Sequence, residues 1–310
     1  MSLAFLFPGQ GSQHPGMGRD LAEAYRESRE WFEEADRALD FPLSGLCFGG
    51  SEQQLALTEN TQPAVLAASV AALRVLEAHR LRPAAAAGHS LGEYAAHVAA
   101  GTLSAADALR IVRQRGRFMQ EAVAVGAGAM AAIVGLDPAS VSRVCREAAG
   151  DQIVVPANLN GPTQIVIAGH AAAVARAVEL ALAAGARGAV PLAVSAPFHC
   201  PLMRPAAERL RGLLADVEFR PPRFPVYTNV DAEPVREASA ARDALVRQVD
   251  APVRWHESIH AMIASGIRTF VEVGPGRVLA GLVRRIDRQV RVLGAGDRDG
   301  VAATIAELVP

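Results

Sequence analysis

Residues 84–101 read AAAAGHSLGEYAAHVAAG, where a run of small apolar residues breaks at Gly88-His89-Ser90-Leu91-Gly92 and then continues in helical register. This is the pattern of a nucleophile elbow, a sharp turn between a strand and a helix. Such a turn forces Ser90 into a strained backbone conformation, so glycines two before and two after it remove Cβ atoms that would clash with strand and helix. The hydroxyl is lifted above the sheet edge. The helix starting near Leu91 aims its unpaired N–H groups back at that hydroxyl, where they can hold an oxyanion formed when Ser90 attacks a carbonyl. A bare G-x-S-x-G in an Ala- and Gly-rich chain also reads as a linker or a helix start. Here it sits at a strand-to-helix junction, with His89 before the serine and Glu93 after the second glycine.

Composition narrows the chemistry. The chain of 310 residues suits one large domain, or one domain carrying an inserted smaller one, and is long enough for a substantial core. Net charge is −1, which argues against nucleic acid as a main partner. There is no lysine, and all 31 basic residues are arginine. That removes Schiff-base chemistry, a Ser-Lys dyad and a Walker-type phosphate loop. Cys47, Cys145 and Cys200 are far apart and odd in number, as expected of a reducing compartment without a disulfide framework. No uninterrupted apolar stretch of about 18 residues occurs, and the N-terminus lacks a charged leader region. A soluble, cytoplasmic protein is expected.

Taken in order, residues 3–7 (LAFLF) form a short buried strand, followed by the glycine-rich loop Pro8-Gly9-Gln10-Gly11-Ser12-Gln13. A phosphate loop would need lysine where Met17 stands, and the dinucleotide spacing is missing, so no cofactor is expected. The loop can offer close backbone approach and the N–H of Gln10 as a second oxyanion donor. Residues 20–39 read as an amphipathic helix, 62–80 as a more apolar one, and Ala84 to Ala87 as the strand feeding the elbow. Alternation of strands and helices implies a mostly parallel sheet. Ser104 caps a helix running to about Val123, whose buried stripe is marked by Leu109, Val112 and Met119. Arg115 shares that stripe, whereas Arg113 and Arg117 do not. An inward guanidinium demands an anionic partner, which is either a structural carboxylate or the carboxylate of a substrate.

From Gly126 the order becomes strand (129–135), helix (138–149), strand (153–159), strand (164–168), helix (170–184), strand (187–194). That is the β-α-β-β-α-β ferredoxin-like pattern. The expected class is therefore α/β, with a large domain at 1–125 and 196–310 and an inserted subdomain at 126–195. Clefts between domains gather ligand sites. His199 is the best general base among eight histidines, because it follows a strand in a Pro-flanked loop where the chain returns from the insert. A lone loop histidine is also compatible with a structural or a merely exposed position. No Asp or Glu between Ser90 and His199 stands out as a third triad member, so a backbone carbonyl or an amide is left to orient the imidazole.

His256-Glu257-Ser258-Ile259-His260 matches the H-E-x-x-H zinc helix, with Glu272 the nearest third ligand. The longer metzincin form needs a glycine where Ile263 stands and a further histidine, which the chain lacks. Trp255, Ile259, Met262 and Ile263 form an ordinary core stripe, with the histidines on its polar margin. No metal site is expected.

Four stretches, FPGQGSQ (7–13), GHSLGEY (88–94), RGRFMQEA (115–122) and SAPFHCPLM (195–203), occur in the order found in one family. With ANLNGPTQIVIAG (157–169), DALVRQVDAPVRW (243–255) and VEVGPG (271–276), the chain closely resembles the malonyl-CoA:acyl carrier protein transacylases of bacterial fatty acid synthesis over nearly its whole length. The resemblance implies an α/β-hydrolase-like large domain with a ferredoxin-like insert. It also implies Ser90 as the acylated nucleophile, His199 as its base, and the N–H groups of Leu91 and Gln10 as the oxyanion hole. Arg115 matches the ligand of the malonyl carboxylate, and Gln248 the glutamine whose main-chain carbonyl orients the histidine. Asn160 matches a position lining the cleft near the coenzyme A or carrier arm. Phe198 resembles malonyl-selective members, whereas methylmalonyl-selective relatives usually carry Ser there.

The implied activity is transfer of malonyl from coenzyme A to the phosphopantetheine thiol of an acyl carrier protein through a malonyl-serine, by a monomer. An acidic carrier would meet some of the surface arginines, with Arg284, Arg285 and Arg288 as candidates beside the plainer reading of a solvated face. The same elbow would also serve a serine hydrolase or thioesterase, a discrete acyltransferase of a polyketide or malonate decarboxylase system, or a non-catalytic carrier-docking subunit.

Overall fold

The structure is a computed structural model and describes residues 2–309. Strand β1 (Leu3–Phe7) is apolar throughout and fully enclosed. Helices α1 (Arg19–Ala24) and α2 (Arg26–Leu39) follow, then α3 (Leu43–Gly49), α4 (Glu52–Ala56) and the long α5 (Thr58–Ala78). The single helix expected over 20–39 is thus two, because Tyr25 is extended (φ −126°, ψ 128°). The apolar helix starts four residues earlier than expected and stops two earlier. β2 (Ala85–Gly88) leads through the elbow into α6 (Gly92–Ala99). Next comes α7 (Ala105–Glu121), whose N-cap Ser104 accepts the N–H of Asp107 as its sequence predicts.

The following segment runs β3 (Gly128–Val134), α8 (Pro138–Ala149), β4 (Val154–Gly161), β5 (Gln164–His170), α9 (Ala171–Ala183) and β6 (Gly188–Pro191). The last strand is shorter than expected; Leu192 still donates to the Met130 carbonyl at 2.9 Å, and the chain then leaves the ladder. Then come α10 (Arg204–Ala215), β7 (Val226–Tyr227), β8 (Pro234–Val235), α11 (Ala238–Arg247) and α12 (Trp255–Ala264). The chain closes with β9 (Thr269–Val273), α13 (Val278–Ile286), β10 (Arg291–Ala295) and α14 (Arg298–Leu308).

These strands build two sheets. The larger has the order β10-β9-β1-β2-β7-β8, parallel except for the β7–β8 pair. Continuous apolar strands such as LAFLF suit a parallel sheet covered on both faces. The second sheet, β4-β5-β3-β6, is antiparallel at every neighbour, which is the ferredoxin-like arrangement. Its helices α8 and α9 pack through Val141, Val144, Val174 and Ala177 onto Ile133, Ile165 and Ile167. Backbone also joins the two sheets' segments: Leu159 donates to Val253 at 2.8 Å, and Val253 to Ala157 at 2.8 Å. β1, β2, β7 and β9 all end on the same side, where the loops of an open α/β sheet gather ligand sites. None of the helices is long and apolar enough to cross a membrane, among the described residues.

Candidate active site

The elbow is built by sterics before chemistry. Ser90 has φ of 52°, in the left-handed region that non-glycine residues avoid. A Cβ on Gly92 would stand 2.1 Å from the Phe7 carbonyl oxygen, and one on Gly88 would stand 1.9 Å from the carbonyl carbon of Gly92. Both flanking glycines are therefore obligatory. Asn229, just beyond β7, clamps the turn from the side: its Oδ1 accepts the Ser90 N–H at 2.6 Å while its Nδ2 donates to the Gly88 carbonyl at 2.7 Å. The N–H of His89 donates to Phe7 O at 3.0 Å, tying the turn to β1.

His199 arrives from the opposite side and meets the elbow. Its Nε2 lies 2.7 Å from Ser90 Oγ, and its Nδ1 lies 2.9 Å from the main-chain carbonyl of Gln248. A carbonyl only accepts, so the proton sits on Nδ1, and the bare Nε2 faces the serine hydroxyl. Burial, reinforced by the charge of Arg115, pushes the imidazole pKa down to about 3, so the ring is neutral at neutral pH. His199 also has φ of 60°.

Arg115 is buried on α7, with 1% of its surface exposed. One Nη donates to Gln62 Oε1 at 2.9 Å; the other donates to Gln248 Oε1 at 2.9 Å and reaches Ser90 Oγ at 3.2 Å. The anionic partner expected for an inward guanidinium is not supplied by the protein: among the described residues no carboxylate lies within 4.0 Å of it. Neutral oxygens hold the group, its Nε–H has no partner, and its charge is left uncancelled. The structural ion-pair reading of Arg115 is thereby overturned, and what remains is a cation beside the serine.

A cavity of ≈ 210 Å³ opens between the two sheets and is lined by all three of these side chains. Gln10 and Leu91 also line it, and neither N–H donates to a protein acceptor among the described residues. Phe198 and Met130 supply apolar wall, and Asn160 stands with its Oδ1 2.8 Å from His89 Nε2. Of the residues given catalytic, oxyanion or substrate-binding roles from sequence, all border this cavity except Gln248, which backs it; Arg284, Arg285 and Arg288 do not line it. Sequence reading missed Gln62 and Asn229, single polar residues with no motif of their own, and the amide side chain of Gln248.

The H-E-x-x-H stretch lies elsewhere, on α12. His256 and His260 meet edge to face with Nε2 atoms 2.9 Å apart, and Glu257 pairs with Arg254. The carboxylate of Glu272 accepts the N–H groups of Leu279 and Ala280 at the start of α13, which removes it as a third ligand.

The profile of the family described as "Acyl transferase domain" matches residues 4–306. The malonyl CoA-acyl carrier protein transacylase of Escherichia coli strain K12 is 50% identical over 303 residues, covering 97% of this chain and 98% of that protein. The solved malonyl CoA-acyl carrier protein transacylase of Coxiella burnetii superposes with a TM-score of 0.97 at 46% identity, over 100% of this chain and 98% of that one. A malonyl-transacylase solved in complex with a type II polyketide acyl-carrier protein gives a TM-score of 0.97 at 46% identity, over 99% and 100% of the two chains.

Proposed function

The chain belongs to the acyl transferase domain family, and from that premise we propose that it is a malonyl-CoA:acyl carrier protein S-malonyltransferase working by ping-pong exchange. The observation that carries this reading is one hydroxyl, Ser90 Oγ, 2.7 Å from a neutral imidazole and 3.2 Å from a buried, uncancelled guanidinium. Nucleophile, base and carboxylate seat share one cavity.

In the first half-reaction His199 Nε2 takes the Ser90 proton as Oγ adds to the thioester carbonyl of malonyl-CoA. The buried imidazole is a weak base at rest, so the proton moves as negative charge develops on the carbonyl oxygen. The N–H groups of Gln10 and Leu91 receive that charge, and the Gln248 carbonyl holds the imidazolium. The carbon–sulfur bond then breaks, the leaving thiolate takes the proton from His199, and a malonyl ester stays on Ser90. The phosphopantetheine thiol of the carrier reverses these steps: His199 takes its proton, its sulfur adds to the ester carbonyl, and Ser90 recovers its hydrogen. No cofactor or metal enters.

Arg115 selects the acyl group. A malonyl carboxylate gives the guanidinium the counter-charge it lacks, whereas an acetyl group leaves it buried and unpaired, at a cost of about 2–5 kcal/mol. Asn160 and Phe198 are assigned to the substrate arm and the acyl wall. We place the enzyme in the cytoplasm, acting as a monomer on malonyl-CoA and an acidic carrier protein.

Intact mass spectrometry tests the reading. Mixed with malonyl-CoA, the protein is expected to gain a malonyl adduct that persists until holo-carrier is added, and Ser90→Ala to gain none. Free malonate without carrier would make it a hydrolase, and no mass gain a docking subunit. A panel of carrier proteins separates fatty acid from polyketide service.

A further inference from the structure

Glu93 stands on the first turn of α6, three residues after the serine, with none of its surface exposed. Its Oε2 accepts the N–H of Asn229 at 2.9 Å and Nε2 of Gln248 at 2.8 Å. Its Oε1 has no hydrogen-bond partner and lies 4.0 Å from His97 Nε2, another atom without one. Burial pushes the carboxyl up to about 7, so the group is expensive to keep where it is. Stability alone does not explain it.

What the carboxylate does follows from the amide it touches. A glutamine side chain has a donor end and an acceptor end, and reversing it exchanges them. Oε2 of Glu93, which already takes the Asn229 N–H, accepts whether or not Oε1 carries a proton, so Glu93 takes Nε2 of the amide, which also reaches the Ser90 carbonyl at 3.1 Å. The amide's Oε1 end is thereby left facing Arg115 at 2.9 Å. Reversed, the amide would turn its N–H groups on the guanidinium and its oxygen on the acceptor Oε2 of Glu93, repulsive at both ends. The same residue's main-chain carbonyl holds His199.

We propose that Glu93 is a positioning residue for acyl selection: it fixes the Gln248 amide in the orientation that presents an oxygen to Arg115, so that the guanidinium is held without being neutralised. A direct Glu93–Arg115 ion pair would have to be broken by every incoming substrate carboxylate. One amide between them steadies the cation and leaves its charge for the acyl group. Asn229, whose N–H shares Oε2 and whose side chain clamps the elbow, is brought into the same network. The inference rests on the malonyl-transfer reading above.

The test compares kcat/KM for malonyl-CoA and acetyl-CoA with holo-carrier as acceptor, after the wild-type adduct has been established. Glu93→Ala is expected to lower the malonyl-to-acetyl ratio at least about tenfold. Glu93→Gln still offers an oxygen to Gln248 Nε2 and is expected to keep the ratio within about threefold of wild type. A purely architectural residue would depress both substrates in proportion, so an unchanged ratio in Glu93→Ala overturns the proposal, as does an equal fall in both variants. If Glu93→Ala does not fold, Gln248→Met carries the test, because it keeps the main-chain carbonyl for His199 and removes the amide. Its ratio is expected to fall by the same factor, and an unmoved ratio again overturns the proposal. A wild-type protein that forms no adduct defeats the transfer reading instead, which keeps the two failures distinct.

Discussion

Arg115 shows how one residue can be read halfway from sequence. Its place on the apolar stripe of α7 follows from helical spacing, and its burial is what the structure shows. Its partners, Gln62 and Gln248, sit 53 and 133 residues away, and nothing in a single sequence marks them. The functional consequence is sharp. Arg115→Ala is expected to reduce malonyl transfer by about 10²-fold or more while leaving acetyl transfer within a few-fold of wild type, since only the malonyl carboxylate needs the guanidinium. Steady-state kinetics with both thioesters decides, and equal losses would reduce Arg115 to a packing role. The elbow lies at the other extreme of legibility. Gly88 and Gly92 are dictated by contacts within a few residues of each other or with the adjoining strand, and such local steric demands leave a readable motif. His199 shares the left-handed conformation of Ser90, yet no glycine accompanies it, and nothing in SAPFHCPLM announces that conformation.

Among the elements, boundaries set by local chemistry were legible and those set by packing were not. Ser104 caps α7 where its side chain predicts, and α8 starts at the expected position 138, behind Asp137, whose side chain accepts the Ser140 N–H. The break at Tyr25 has neither proline nor glycine to signal it. It lets α2 turn so that Ser28 and Trp31 donate to the Ala71 and Ala67 carbonyls of α5. α5 in turn begins before its proline, with Thr58 and Glu59 tucked beneath α7. That contact depends on Gly116, next to Arg115: a Cβ there would meet the Thr58 carbonyl oxygen at 2.7 Å and Glu59 Cα at 2.9 Å. Alanine is the better helix former by about 1 kcal/mol, but these atoms are backbone and cannot step aside. Gly116→Ala is therefore expected to cost about 1–3 kcal/mol of stability and to raise the KM for malonyl-CoA, because the shift separates Arg115 from Gln62. Thermal melting together with kinetics checks it, and a stabilised variant of normal KM would refute the close-packing argument.

At the scale of the whole molecule, the cavity lies where the loops after β1 and β2 meet the second sheet, and ionisable groups packed into the interior around it are deprived of water. Four buried ionisable groups carry that cost in opposite directions. Burial lowers His97 and His199 to about 3 and raises Glu93 and Glu272 to about 7, from ordinary values of 6.5 and 4.5. Between about pH 4.5 and 6.5 the folded chain therefore keeps two carboxyl protons and no proton on those two imidazoles, while the unfolded chain does the reverse. The proton counts match, and stability owed to these four groups is flat across that window. Below it the unfolded imidazoles alone hold extra protons, so stability falls with falling pH. Above it the folded carboxyls alone hold extra protons, so stability falls as pH rises through about 7.

His97→Leu removes one side of this balance, along with two ring nitrogens that have no hydrogen-bond partner. At pH 5 the unfolded wild type gains a proton at position 97 that the folded state refuses, worth about 2 kcal/mol against folding; at pH 8 the term vanishes. The variant is thus expected to be more stable relative to wild type at pH 5 than at pH 8 by about 2 kcal/mol, as read from urea midpoints at both pH values. A difference independent of pH would mean that the imidazole titrates normally inside the fold, and the picture of a dry interior behind the elbow would have to be abandoned.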